Sequence, residues 1–314
     1  MKKHKPRPLF IWAGGKTKLI KHYADLIPKN INHYCEPFFG AGAFFLYLVE
    51  TNNHPLDGQV IINDVNEDII NIYKVVKTNV DLFIKDVHET YEKEYLSLET
   101  KEKRKEFFYE VRHHNAFHHL EMNEVEQAAI QFFLMKTSFN GIYQINKNTN
   151  GRFGTPAGLL NQKNEIFSRE DVYWWNEALN KTNASIYSTD WRKVISNSAV
   201  EKHINDFFFF FDPPYRNSFT SYGTGFDDNN LNELIQFIEQ NQKAQVFLCN
   251  RLDDKDDPFF ENKTQTLKTK TIDVTYTAGR RKKDQDGSFS AKKAVEILLY
   301  RTQNSHAPGL EEFM

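Results

Sequence analysis

The chain has 314 residues, 40% hydrophobic and 26% charged, with a formal net charge of −2. No apolar run approaches the ~20 residues of a membrane helix, and the start MKKHKPRPLF lacks the apolar stretch and cleavage site of a signal peptide. Two isolated cysteines, Cys35 and Cys249, argue against a disulfide framework or a zinc site and read as free core thiols in a reducing cytoplasm.

The first distinctive segment is WAGGKTK, residues 12–18. A phosphate-binding loop would need a glycine where Phe10 stands, and it would place the Trp12 ring where the backbone must approach a phosphate. Only Pro8-Leu9-Phe10-Ile11 precedes it, too little for a buried strand. A plain helix start with Lys16, Lys18 and Lys21 in solvent is the alternative, but it leaves Trp12 beside two glycines unexplained.

Residues 31–35 read as a strand, followed by Glu36-Pro37-Phe38-Phe39-Gly40-Ala41-Gly42 and a helix from about Gly42. Gly40 and Gly42 allow a tight turn, but Phe45 stands where a dinucleotide fingerprint needs its third glycine, so NAD binding is not supported. A second strand, 59–63, ends at Asp64, 22 positions beyond Gly42. There a carboxylate suits ribose hydroxyls, or equally a helix cap.

From about residue 80 the pattern turns to long charged helices. The stretch 139–163, FNGIYQINKNTNGRFGTPAGLLNQK, is long enough as a loop to be functional. A short helix bearing Trp174 and Trp175 follows. Strands are predicted at 184–188, 206–211, 244–249 and 293–300, with a helix at 228–240. The five phenylalanines 207–211 are apolar on both faces, as in a central parallel strand. The fold class is α/β, with a helical insertion over roughly 77–181.

Directly after that strand comes Asp212-Pro213-Pro214-Tyr215, at the carboxyl edge where open α/β sheets bind ligands. The two prolines stiffen the exit and remove donors, leaving carboxylate and carbonyl acceptors beside an aromatic ring. Those groups suit a flat molecule with an exocyclic amine, such as a nucleobase. Basic residues gather at both ends, Lys2, Lys3, Lys5 and Arg7, then Arg280, Arg281, Lys282 and Lys283, as on a phosphate-tracking surface. His113, His114, His118 and His119 have helical spacing but no evident carboxylate or cysteine partner, so no metal is expected.

WAGGK, EPFFGAG, NDVNEDI and DPPY, in that order, resemble the Dam-like adenine-N6 DNA methyltransferases (D12 class, alpha group) over nearly the whole chain. The resemblance implies a Rossmann-like S-adenosylmethionine-dependent methyltransferase sheet with an inserted helical DNA-recognition subdomain. Residues 1–76 and 182–314 would form the catalytic domain, and 77–181 the recognition subdomain. Trp12, Ala13 and Lys16 would belong to the cofactor pocket, with Lys16 near the methionine carboxylate. Phe38, Gly40, Gly42, Asp64 at the ribose, Asp190 near the adenine, and Asp212 would complete it. Asp212, Pro213, Pro214 and Tyr215 would carry catalysis on an adenine flipped out of double-stranded DNA, without a metal.

Asn140, Gln144 and Arg152 would read base edges, with Arg280 and Arg281 as further DNA-binding residues. Gln144 stands where GATC-specific members carry an arginine, so a target other than plain GATC is expected. The resemblance further implies a cytoplasmic monomer, bacterial or phage-encoded, of restriction–modification or Dam-like role. Rival readings are a cytosine-N4 or other amine methyltransferase, a catalytically silent DNA-binding protein, and a phosphate-loop NTPase. The first two are separated by the methylated product, the third by ATP binding.

Overall fold

The computed structural model describes residues 4–12, 15–51, 56, 58–158, 161, 164–216, 225–252, 257–261, 263–276, 282–283, 289–290 and 292–302. Its sheet has seven strands. Five are mutually parallel, the first four being β1 (His33–Glu36), β2 (Val60–Asn63), β3 (Ser185–Tyr187) and β4 (Phe207–Phe211). β5 (Gln245–Leu252) continues the parallel set beside β4. β6 (Lys268–Tyr276) forms one edge and, among the described residues, pairs only with the antiparallel β9 (Lys292–Arg301); β7 (Lys282–Lys283) and β8 (Phe289–Ser290) make a separate antiparallel pair. The order is β3-β2-β1-β4-β5-β9-β6.

The strand order reverses between β1 and β4, and in open α/β sheets a ligand crevice forms at such a switch point. Each phenylalanine of β4 is buried, and the strand serves two cores at once. Phe208 and Phe210 join the core shared with the helices, whereas Phe207, Phe209 and Phe211 face the core under α10 (Asp228–Gln240, numbered below). Cys35 and Cys249 are buried free thiols, as expected.

The helices run α1 (Ala43–Thr51), α2 (Glu67–Thr78) and α3 (Val80–Asp86); α3 passes through a π turn at Val87–Glu92 into α4 (Lys93–Ser97). Then follow α5 (Lys101–Phe117), α6 (Glu124–Thr137), α7 (Arg169–Lys181), α8 (Trp191–Ile195), α9 (Ser198–Lys202) and α10. α2 starts at Glu67 because Asn66 caps it by accepting from the Ile69 amide. α7, expected as a short helix, spans 13 residues, since its apolar face is buried against α2 and α3.

One continuous apolar cluster joins β1, β4, α1 and α2 to α5, α6 and α7. Trp175 is fully buried within it, its indole N–H donating to the Arg7 carbonyl. No helix of the described residues is long and apolar enough to cross a membrane.

Candidate active site

The carboxyl ends of β1, β2 and β4 each deliver one conspicuous carboxylate. From β1 the chain turns through Gly40 (φ +49°) and Gly42 (φ +62°) into α1. These left-handed conformations favour glycine, and space demands it too. A Cβ on Gly40 would lie 2.8 Å from the Trp12 ring, and one on Gly42 would lie 2.7 Å from Trp175. Trp12 therefore sits against the turn, which accounts for a tryptophan in a glycine-rich segment. Residues 4–12 contain no strand, and Lys16 is buried rather than cradling solvent, so the phosphate-loop reading has no structural basis.

Asp64, at the end of β2, accepts from the Gly40 amide at 2.9 Å and the Asn66 amide at 3.0 Å. It thus braces the glycine turn, while Asn66 supplies the helix cap. Burial pushes the Asp64 carboxyl up to about 6, against the pull of those backbone donors. Asn63, which sequence reasoning passed over, is fully buried and ties three strand ends together. Its amide donates to the carbonyls of Pro37 and Thr189, and its oxygen accepts from the Thr189 amide. Its sequence signal was only its place at a strand terminus.

At the end of β4, Asp212 meets Lys16. The ammonium, only 2% exposed, lies 2.6 Å from one carboxylate oxygen and 2.7 Å from the other. Lys16 is thus brought to the DPPY carboxylate. Burial pulls its pKa down, and Asp212, Cys249 and Glu296 outweigh that, leaving it raised. Burial also pushes Asp212 up to about 6; Lys16 draws it down and Glu296 adds to the rise. Lys16 thereby keeps a buried carboxylate ionised and able to accept hydrogen bonds.

The ammonium also stands 4.6 Å from the centre of the Tyr215 ring, and the Tyr215 hydroxyl donates to Glu296 on β9. Arg216 then anchors the segment. It pairs with Asp228 at 2.9 Å and Asp257 at 2.6 Å and stacks 3.8 Å from the Phe259 ring centre. Neither Glu296 nor Arg216 was singled out from sequence.

Phe38 lies between the rings of Trp191 and Phe226, at 6.3 and 5.6 Å. Asp190, just before Trp191, caps α8 by accepting from the Arg192 amide and pairs with its guanidinium at 3.2 Å. Phe38, Asp64, Asp190 and Asp212 thus all follow the carboxyl ends of neighbouring strands. Ala13, Arg280 and Arg281 lie outside the described residues.

The loop after α6 is anchored at its base. Gly141 takes φ +61° against Ile11, and the Tyr143 ring lies 5.7 Å from Trp12. Asn140 (φ +54°) and Gln144 are exposed. Arg152 is not turned outward: it pairs at 2.9 Å with Asp68 of α2, which also accepts from the Tyr143 hydroxyl. Among the histidines, His118 contacts Glu121 and His119 contacts Asn115. Among the described residues no cluster of three or more His, Cys, Asp or Glu is placed to hold a metal ion.

Residues 12–278 match the family described as D12 class N6 adenine-specific DNA methyltransferase. Type II methyltransferase M.MjaIII of Methanocaldococcus jannaschii is 36% identical over 257 residues, covering 78% of this chain and 84% of that protein. Type II methyltransferase M1.LlaDCHI of Lactococcus lactis subsp. cremoris is 30% identical, covering 93% and 94%. The DNA adenine methylase of Serratia marcescens is 26% identical, covering 78% and 84%. With the glycine turn at β1, an acid after β2 and DPPY after β4, this chain belongs to the D12 class of N6 adenine-specific DNA methyltransferases.

Proposed function

We propose that this adenine methyltransferase takes its methyl group from S-adenosylmethionine, bound across the carboxyl ends of β1, β2 and β4. The donor set suits that molecule: a left-handed glycine turn, Asp64 for hydroxyls, and Phe38 for a flat base. When bound, the cofactor supplies an electrophilic methyl group on its sulfonium. Asp64 has lone pairs left after its two backbone bonds, and these suit ribose hydroxyls. Trp12 borders the pocket, and Asp190 closes the adenine side.

The adenine amine is a poor nucleophile because its lone pair is delocalised into the ring. Asp212, held ionised by Lys16, accepts one amine hydrogen, and the Pro213 carbonyl accepts the other. Together they favour a pyramidal nitrogen, so that catalysis is positioning plus electrostatics. Pro213 and Pro214 fix the approach, and Tyr215 stacks on the flipped base. That stacking, worth about 1–3 kcal/mol, offsets part of the cost of extrusion.

Residues 77–181 carry target recognition, with Asn140 and Gln144 facing the bases. Arg152 reaches DNA only by leaving Asp68, and Arg280 and Arg281 contact phosphates. A monomer in the cytoplasm, acting in restriction–modification or Dam-like methylation, fits this reading. So does a target other than plain GATC; sequencing the methylated sites tests it, and a plain GATC product refutes it.

The buried Lys16–Asp212 pair is the observation that carries the catalytic reading. Its test is Asp212→Ala with labelled S-adenosylmethionine and unmethylated DNA. Methyl transfer should vanish while the circular dichroism spectrum persists. Near-wild-type turnover would remove Asp212 from the mechanism.

A further inference from the structure

We propose that Glu296 is a positioning residue for methyl transfer, fixing through the Tyr215 hydroxyl the ring on which the target base stacks. The inference rests on the reading of Asp212 and Tyr215 given above.

Glu296 is 1% exposed in the middle of β9, paired across to Arg251 on β5 and to Ile272 on β6. Its local sequence, Ala294-Val295-Glu296-Ile297-Leu298-Leu299, is otherwise that of a buried strand. A carboxylate there costs desolvation and gives nothing to packing, so a hydrogen-bonded use for it is expected. The Tyr215 hydroxyl supplies one. Tyr215 follows two prolines and belongs to no helix or strand, so its orientation depends on side-chain contacts. Two stand out: Lys16 at 4.6 Å from the ring centre and Glu296 at the hydroxyl. Lys16 in turn holds Asp212. The acceptor carboxylate and the stacking ring are therefore set by one buried line of groups, closed from the far strand by Glu296.

Glu296 also acts on charge. Two charged groups, Lys16 and Glu296, act on Asp212, and Asp212 in turn acts on Tyr23, Glu36, Tyr215 and Cys249 around it. Of these Lys16 lowers the Asp212 pKa and Glu296 raises it. Neutralising Glu296 while keeping its shape should move the acidic limb of the rate profile to lower pH.

The test compares Tyr215→Phe, Glu296→Ala, their double variant and Glu296→Gln in the full chain. Readouts are single-turnover rate, cofactor affinity, KM for DNA, and fluorescence of 2-aminopurine placed at the target adenine. Losing a hydrogen bond to a charged group should slow Tyr215→Phe and Glu296→Ala about tenfold each. Cofactor affinity and KM should stay within about twofold, because neither group is assigned to initial binding. The double variant should be no slower than the slower single one, since both remove the same bond. A double variant about a hundredfold slower would show independent roles and overturn the proposal.

Glu296→Gln keeps an acceptor for the hydroxyl, so it should retain the 2-aminopurine signal and show the acidic limb at lower pH. An unmoved or raised limb overturns the charge coupling even if Glu296→Ala does not fold. If Asp212→Ala is inactive and the cycle is additive, only the Glu296 inference fails. If Asp212→Ala is active, the reading beneath it fails.

Discussion

Replacing Lys16 by methionine separates two roles that the same ammonium can play. Burial holds the Asp212 carboxyl at about 6 even with Lys16 at 2.6 Å, so the wild-type group is about 97% ionised at pH 7.5. An opposite charge at this range lowers a carboxyl pKa by about 1–3, so Lys16→Met should carry Asp212 to roughly 7–9. At pH 7.5 the ionised fraction would then fall to between about 76% and about 3%. A protonated Asp212 loses most of its capacity to accept an amine hydrogen, so the rate follows the ionised form, lost as pH falls through the folded pKa. Lys16→Met should therefore lose up to about 30-fold in single-turnover rate at pH 7.5 and recover most of it by about pH 9.5. The assay is a pH profile of single-turnover methylation, with cofactor affinity measured at each pH. An unmoved acidic limb combined with weakened cofactor binding would refute the reasoning and return Lys16 to the methionine carboxylate.

Gly40→Ala imposes a Cβ 2.8 Å from Trp12 at φ +49°, so it should weaken cofactor binding at least ~10-fold while leaving circular dichroism intact. Titration calorimetry checks this, and unchanged affinity would mean that the turn does not shape the pocket. Trp175→Ala empties a fully buried site between α7 and the Gly42 turn, and should cost about 3–5 kcal/mol by urea denaturation. A loss under about 1 kcal/mol would show that the helical layer is not braced there. Gln144→Arg should change which sites are methylated, by an amount reflecting the ~1–3 kcal/mol of a bidentate base contact. An unchanged site spectrum would make Gln144 an ordinary exposed loop residue.

Much of the sheet was legible in the sequence because its signals are local. The run Phe207–Phe211 can be nothing but a doubly covered strand, and it is one. The helix expected at 228–240 appears as Asp228–Gln240, its start marked by Asp227, whose side chain caps it. The edge strand β6 escaped notice. Its sequence, KTKTIDVTY, has no apolar run, and only pairing with β9 makes it a strand.

The motifs that carry the chemistry were likewise readable. Glycines at a strand exit and an acid-proline-proline-tyrosine sequence are short, and each advertises its own backbone geometry. Tertiary structure alone decided which of those groups meet. Lys16 and Asp212 are 196 positions apart, and nothing local in WAGGK says that its lysine meets the DPPY carboxylate. Glu296 reads as an odd acid in an apolar strand until Tyr215, 81 positions away, reaches it. Arg152 carries no local sign that it meets Asp68, 84 positions away. The physical reason is common to all three. Backbone conformation follows from a residue and its neighbours, whereas a buried charge takes whichever opposite charge or hydrogen-bond donor the packed fold brings within reach, since leaving it unpaired costs several kcal/mol.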